Sequence, residues 1–377
     1  MFSCSHRTSR CGSLRTNVRS IYRSLLRPLL LSAVAFSAFS VDPATRAQSL
    51  FIGDGGDNSV KQFEANGTYV GPFVASGAAA AGLHGPRGMI FTDGQLIVVN
   101  QNVNTPYPGE ILRFDGATGR FVGKLVASSD RNAPFAPRGI VRGGPDNGYY
   151  VADLGLNHGQ CANQGDVKEY DAAGAFLGNL DRHAFTAEFH PLGVVFGPDG
   201  LLYVSASGCL DPTDPHFNPL TGYILRFDAS TKKFVDVFAS NNSVADLHRP
   251  EGLVFDNAGN LWVASSRANA NDSDKIVELD GKTGTRITEI PLSTPPGPRA
   301  HEVALVFGPH SNLYIPITFG DPMNSTTVGQ VWRCSTAITP VHCDIIVKAY
   351  SAGGPLEQPW YPVFRNSDPA TLKYNED

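Results

Sequence analysis

Six positions that stand in one relation to a repeated Gly carry most of the chemistry this sequence can offer. They lie just before the Gly in HGPRGMIF (84–91), FAPRGIVR (135–142), FHPLGVVF (189–196) and HRPEGLVF (248–255), and at the matching places in HEVALVF (301–307) and QPWYPVF (358–364). Their residues are Arg87, Arg138, Leu192, Glu251, Val303 and Trp360. His84 and His248 share one place just upstream, and His190 and His301 share the next. A guanidinium offers a planar fork of donors that fits a carboxylate or phosphate. Carboxylate and imidazole together suit a divalent cation, Ca2+ or Zn2+. The expected result is a mouth for a small anionic or oxygen-rich molecule, or for an ion. Arg87, Arg138 and Trp360 would meet the ligand, and Glu251, His248, His84 and His301 would meet a metal.

A second recurring place, at the end of the following strand, holds Asp54, Asn100, Asp153, Ala206, Ser265 and Ile317. Asn100 and Asp153 are expected beside the ligand and Asp54 beside the metal. Other uses stay open for all of these groups. Arg87 and Arg138 can pair with Asp54, Asp153 or carbonyl groups and brace neighbouring units. Asp54 and Asp153 can cap loop backbone, as Asp commonly does, and a His next to Pro can simply shape a turn.

These places coincide in space only if the repeats are structural copies. Each motif leads through a short turn into an alternating apolar strand, a loop, and another strand such as EILRFDG (110–116) or YILRFDA (223–229). Taking the last residue of each motif, Phe91, Arg142, Phe196, Phe255, Phe307 and Phe364 are separated by 51, 54, 59, 52 and 57 residues. A period near 50 built only of strands predicts the blades of a β-propeller. The final motif, at 358–364, stops where SLFIGDGGDNSVKQF (49–63) supplies the missing strands. The prediction is an all-β, six-bladed propeller of four-stranded antiparallel blades over 48–366. Its C-terminal inner strand would close the ring against the N-terminal strands, which removes exposed sheet edges.

Alternate connections of a blade lie on opposite faces. The tight turns GPDG (197–200), DNAG (256–259) and DGATG (115–119) belong to one face. The loops NQNVNTPYPG (100–109), DLGLNHGQCANQGD (153–166), ASGCLDPTDPHFNPLTG (206–222), SSRANANDSDK (265–275) and ITFGDPMNSTTVG (317–329) belong to the other. Function commonly resides on loops carried by a rigid scaffold, so the expected mouth opens on the long-loop face.

Residues 1–47 read differently. Six Arg precede the apolar run LLLSAVAFSAF (29–39), and Thr45-Arg46-Ala47 ends in residues that suit a signal peptidase. Residues 1–47 are therefore expected to be a signal peptide, and 367–377 a C-terminal tail outside the ring. No apolar run after residue 47 is long enough for a spanning helix. The 377-residue chain has 30 basic and 35 acidic residues, and 1–47 holds seven Arg and one acid. That leaves 23 basic against 34 acidic residues, a formal net charge of −11. Such a charge disfavours nucleic acid and anionic membrane, whose phosphates require Lys and Arg. The expected product is a monomer, secreted or periplasmic, whose partner is a small molecule or an extracellular protein. Cys161, Cys209, Cys334 and Cys343 suit two bridges in an oxidising compartment. Cys334 and Cys343 lie on strands joined by a short turn, and Cys161 and Cys209 occupy equivalent loops of adjacent blades. Nucleophile elbow, phosphate loop and dinucleotide fingerprint are all missing from the sequence.

The segments LFIGDGGDNSVKQF, RPEGLVFDNAGNLWVAS and HPLGVVFGPDGLLYVS resemble the NHL-repeat propellers, over nearly all of 48–364. That superfamily includes lactonases, lyases and binding scaffolds. The resemblance extends distantly to the senescence-marker-protein/gluconolactonase family, which holds a divalent metal with a Glu, an Asn and an Asp at the place before the motif Gly. Glu251 matches the Glu, whereas Arg87, Arg138, Leu192, Val303 and Trp360 stand elsewhere. Peptidyl-amidating lyase, with axial histidines on zinc beside an Arg and a Tyr, is similar in outline to His84, His248 and His301 with Arg87 or Arg138. Virginiamycin B lyase propellers have similar GPDG turns. These resemblances imply a metal-dependent lactone hydrolase or lyase as the alternative to a binding scaffold.

Overall fold

A computed structural model describes residues 48–376 apart from 77–81, 156–163, 210–212, 216, 219 and 339. The expected signal peptide and Cys161 lie outside the described residues. Every described residue belongs to one compact unit within Val41–Asp377.

Short alternating strands separated by turns cannot bury both faces alone, so they stack as blades around an axis. Six four-stranded antiparallel sheets form the ring, a six-bladed β-propeller. The first five blades begin with the inner strands Pro86–Thr92, Pro137–Gly143, His190–Phe196, Leu253–Phe255 and the pair His301–Glu302 and Val306–Phe307. The sixth begins with Pro359–Phe364, which pairs antiparallel with Leu50–Asp54, Leu50 facing Phe364. The two ends of the chain thus share one blade, as the composite motif predicts.

Burial follows position in the blade. Inner strands such as His190–Phe196 and Pro359–Phe364 are buried along their whole length, because neighbouring blades cover both sides. Outermost strands such as Lys233–Ser240 alternate between exposed and half-buried residues along most of their length. Aromatic edges lock adjacent blades: Tyr203 meets Phe255 at 5.0 Å, Phe51 meets Phe91 at 4.9 Å, and Tyr314 meets Phe364 at 4.8 Å between ring centroids.

The repeated Gly has a steric cause. A Cβ on Gly88 would sit 2.5 Å from the Arg138 carbonyl oxygen, one on Gly193 2.3 Å from that of Glu251, and one on Gly252 2.5 Å from the Ala304 Cα. Inner strands of successive blades therefore touch backbone to backbone at this level, which only Gly permits. The fifth copy, with Ala304, is the one whose inner strand is broken in two.

Residues 367–376, which the sequence sets apart as a tail, pack against the ring. Arg142 N–H donates to the Pro369 carbonyl and Phe196 N–H to that of Ala370, so the segment crosses blades two and three on the short-turn face. The Asp368 carboxylate caps Ala370 and Thr371, and Leu372, at φ 56°, lines the axial channel. Tyr374 is buried against Phe364 at 5.4 Å. Covering apolar groups at both the ring's hole and its closing strand outweighs the polar look of the segment.

Cys334 and Cys343 form a disulfide and face each other across adjacent strands of blade five. Cys209 is buried and disulfide-bonded; its expected partner, Cys161, lies outside the described residues. No helix of the described residues is long and apolar enough to cross a membrane.

Two outcomes follow from this packing. Peptide mapping without reduction should recover the 334–343 link, and Cys343→Ser should lower stability by no more than about 2–3 kcal/mol, because the closed loop is short. Tyr374→Ala should cost about 3 kcal/mol in denaturant unfolding, the usual loss for a buried aromatic ring.

Candidate axial anion site

At the long-loop end of the axis, the residues before the motif Gly converge on Trp360. The Arg87 guanidinium carbon lies 3.5 Å and that of Arg138 4.8 Å from the Trp360 ring centroid. Guanidinium stacking on indole is favourable and strongest where water is excluded. Trp360 continues to Phe319 at 5.1 Å, and Phe319 to the His301 ring at 4.7 Å. Gly55, just after the neighbouring strand of the same blade, leaves room for the indole, since a Cβ there would fall 2.8 Å from Trp360 Nε1.

Below them, Tyr361 closes the mouth. It occupies the place of the motif Gly in the sixth copy, and its hydroxyl donates to the Leu192 carbonyl of blade three at 3.1 Å. Burial pushes the Tyr361 hydroxyl's pKa up. The channel beneath, lined by Gly139, Gly193, Gly252, Tyr361 and Leu372, holds about 20 Å³, room for about one water.

The arginines are not equally partnered. Arg87 is buried, and its Nε donates to Gln101 Oε1 at 2.7 Å while one Nη donates to the Pro86 carbonyl at 3.1 Å. Burial first, and then the neighbouring Arg138, pull its pKa well below the usual value. Arg138 Nε and Nη1 are buried with no hydrogen-bond partner, and burial lowers this group's pKa too, against the pull of Glu251. Glu251 is 1 % exposed, and Arg249 Nη2 stands 3.2 Å from its Oε1. Neither Glu251 oxygen receives a hydrogen bond, and Arg249 Nε has no partner. Arg249 alone contacts the Glu251 carboxylate, and Arg87 and Arg138 feel its charge; three guanidinium groups thus share one mouth with one carboxylate, a net surplus of two positive charges with unused donors.

Arg249 and Tyr361 are the site residues that sequence reasoning missed. Arg249 lies two places before Glu251 rather than next to the Gly, and Tyr361 takes the place of the Gly itself. The signal available for Tyr361 is a bulky residue where four copies have Gly. Arg249 has φ 42° directly before Pro250. A long side chain rarely adopts that conformation, and the following proline opposes it further.

The expected loop-end residues take the other use that the sequence left open. Asp54 accepts from Lys61 Nζ at 2.7 Å, Gly56 N–H at 2.9 Å, and Glu357 and Gln358 N–H at 2.8 Å. Asp153 accepts from the N–H groups of Phe135, Ala136 and Gly155. Asn100 accepts from His84 N–H at 2.8 Å and donates to Glu110, and Ser265 Oγ accepts from His248 N–H at 2.9 Å. In each of these blades the end of the second strand latches the segment that enters an inner strand.

The histidines do not assemble. His84 is exposed; His190 is fully buried with both ring nitrogens unpartnered. His301 bonds Ser266 Oγ at 3.0 Å, and burial followed by Arg249, Arg299 and Arg267 holds it neutral. His248 is half-buried with Nδ1 unpartnered. Among the described residues no group of three or more His, Cys, Asp or Glu is placed to hold a metal ion. The donor set around Glu251 is cationic, so Glu251, His248, His84, His301 and Asp54 do not fit a divalent cation together.

No family model matches the sequence, and no curated protein matches it. Among solved structures the chain is similar to virginiamycin B lyase from Staphylococcus aureus, with TM-score 0.47 and 15 % identity, covering 79 % of this chain and 80 % of that one. It is similar to a luciferin-regenerating enzyme, with TM-score 0.47 and 14 % identity over 77 % of this chain and 81 % of that one. A gluconolactonase from Xanthomonas campestris gives TM-score 0.46 and 15 % identity over 72 % and 83 %.

Separating latch from mouth is experimentally direct. Asp54→Ala removes the buried acceptor shared by Lys61 and the Gly56, Glu357 and Gln358 N–H groups, leaving Lys61 only Asp57 and the Pro355 carbonyl, and should cost about 3 kcal/mol of stability. Chemical denaturation reads this loss.

Proposed function

We propose that this chain is an exported propeller that binds a small anionic molecule at the axial mouth of its long-loop face, without catalysing a reaction on it. The observation that carries the reading is the unbalanced guanidinium cluster: Arg87, Arg138 and Arg249 sharing one mouth with Glu251, with donors of Arg138 and Arg249 buried and unpartnered. Buried polar groups without partners are uncommon and costly. A bound anion would supply the acceptors that Arg138 lacks, and Trp360 would keep the two guanidinium planes fixed while it does so. Export is supported by the basic and apolar leader in 1–47 and by the Cys334–Cys343 bridge, since disulfides persist in oxidising compartments.

A bracing role and a binding role make opposite demands on Arg138. If it braced the ring, its loss would destabilise the fold. As a binding residue, buried beside Arg87 and without an ion-pair partner, it weakens the empty protein. Arg138→Met should therefore raise the melting midpoint by about 1–2 °C, the shift expected for about 1 kcal/mol in a domain of this size, and weaken uptake of dicarboxylates at least about thirtyfold, or ~2 kcal/mol. Calorimetric titration and thermal melting on the same preparation read both. A lowered midpoint with unchanged uptake overturns the proposal.

Metal content gives an independent check. Elemental analysis of the purified protein should find less than stoichiometric Ca and Zn, and prior chelator treatment should leave anion uptake unchanged. One tightly held ion per chain whose removal abolishes uptake would contradict the reading.

A further inference from the structure

We infer that the axial ligand is a small hydroxydicarboxylate, with its two carboxylates met by the guanidinium cluster and its hydroxyl donated to Glu251. This rests on the anion-binding reading and adds charge count and hydrogen-bond polarity to it.

The charge count comes from the four ionised groups at the mouth. Arg87, Arg138 and Arg249 outnumber Glu251 by two, and the next arginine outward, Arg299, is already paired with the buried Asp274 at 2.5 Å. A low-dielectric site is most favourable when the ligand cancels its charge, because an uncompensated buried charge is expensive. A dianion achieves that, whereas a monocarboxylate or an amino acid leaves a surplus.

The hydroxyl comes from Glu251. Both of its oxygens are buried without a donor, although Arg249 stands within ion-pair distance. Its main chain is fixed: the carbonyl accepts from the buried Ser205 Oγ, and the N–H donates to the Ala264 carbonyl at 3.3 Å. A ligand made only of carboxylates would set a further negative charge beside it and leave it unsatisfied. A ligand hydroxyl completes it without altering the charge balance. An ammonium would complete it too, but would add positive charge next to Arg249.

The test is a calorimetric titration of the full protein with malate, succinate and aspartate. These three share a four-carbon dicarboxylate frame and differ only in bearing a hydroxyl, no polar substituent or an ammonium. Malate should bind at least tenfold tighter than succinate, and succinate tighter than aspartate. In Glu251→Ala the malate preference should fall below threefold while succinate still binds. If wild-type protein binds succinate as tightly as malate, the hydroxyl assignment is overturned and the anion reading survives. If aspartate binds best, the ligand class is an amino acid and this inference fails. If none of the three binds, and inorganic phosphate does not either, the anion reading falls with it.

Discussion

Six inner strands must approach one axis closely enough to exclude water, and side chains at the level of closest approach forbid it. The motif Gly removes that obstacle: at Gly88, Gly193 and Gly252 the neighbouring backbone stands where a Cβ would be, and at Gly139 it comes within 3.1 Å of one. The adjacent blades then interlock through buried rings such as Tyr203 and Phe255. The same contact gives the residue before each Gly its importance, since copies of one place in the motif are gathered around one opening. Chemistry at the mouth is thus a by-product of the packing that closes the ring.

Within that ring the polar groups divide by layer. Residues ending the second strand, among them Asp54, Asn100 and Asp153, are saturated by backbone N–H groups and neighbouring side chains. They convert irregular entry segments into fixed supports for the inner strands. The layer nearer the axis is left unsaturated: Arg138 stacks on Trp360 and Arg249 lies over Phe319 and beside Glu251, yet Arg138 Nε and Nη1, Arg249 Nε and both Glu251 oxygens have no hydrogen-bond partner. Rigid supports of this kind are what a preorganised site requires, and the proposed anion site would draw on them.

The two ends of the axial channel are treated differently. Tyr361 spans from blade six to blade three at the mouth, while Leu372 of the C-terminal segment enters from the short-turn face. With room for about one water between them, the channel is a packed seam rather than a conduit.

The strand pattern, the period near 50 residues and the split final motif were enough to determine six blades and their closure, because alternation and turn chemistry are local properties written along the chain. The same local reading found Arg87, Arg138, Glu251 and Trp360 through their shared place in the repeat, and paired Cys334 with Cys343 across a short turn. It had no means of deciding between latch and ligand for Asp54, Asn100 and Asp153, since that depends on which distant N–H groups arrive beside them. Nor did it reveal that residues 367–376 pack on the ring, because Leu372 and Tyr374 look like an ordinary polar tail until the apolar hole they cover exists. Arg249 and Tyr361 escaped for a similar reason: one reaches the mouth through a left-handed backbone turn, the other by replacing the Gly across the axis from Leu192. Their roles follow from approach in three dimensions, which only the assembled ring creates.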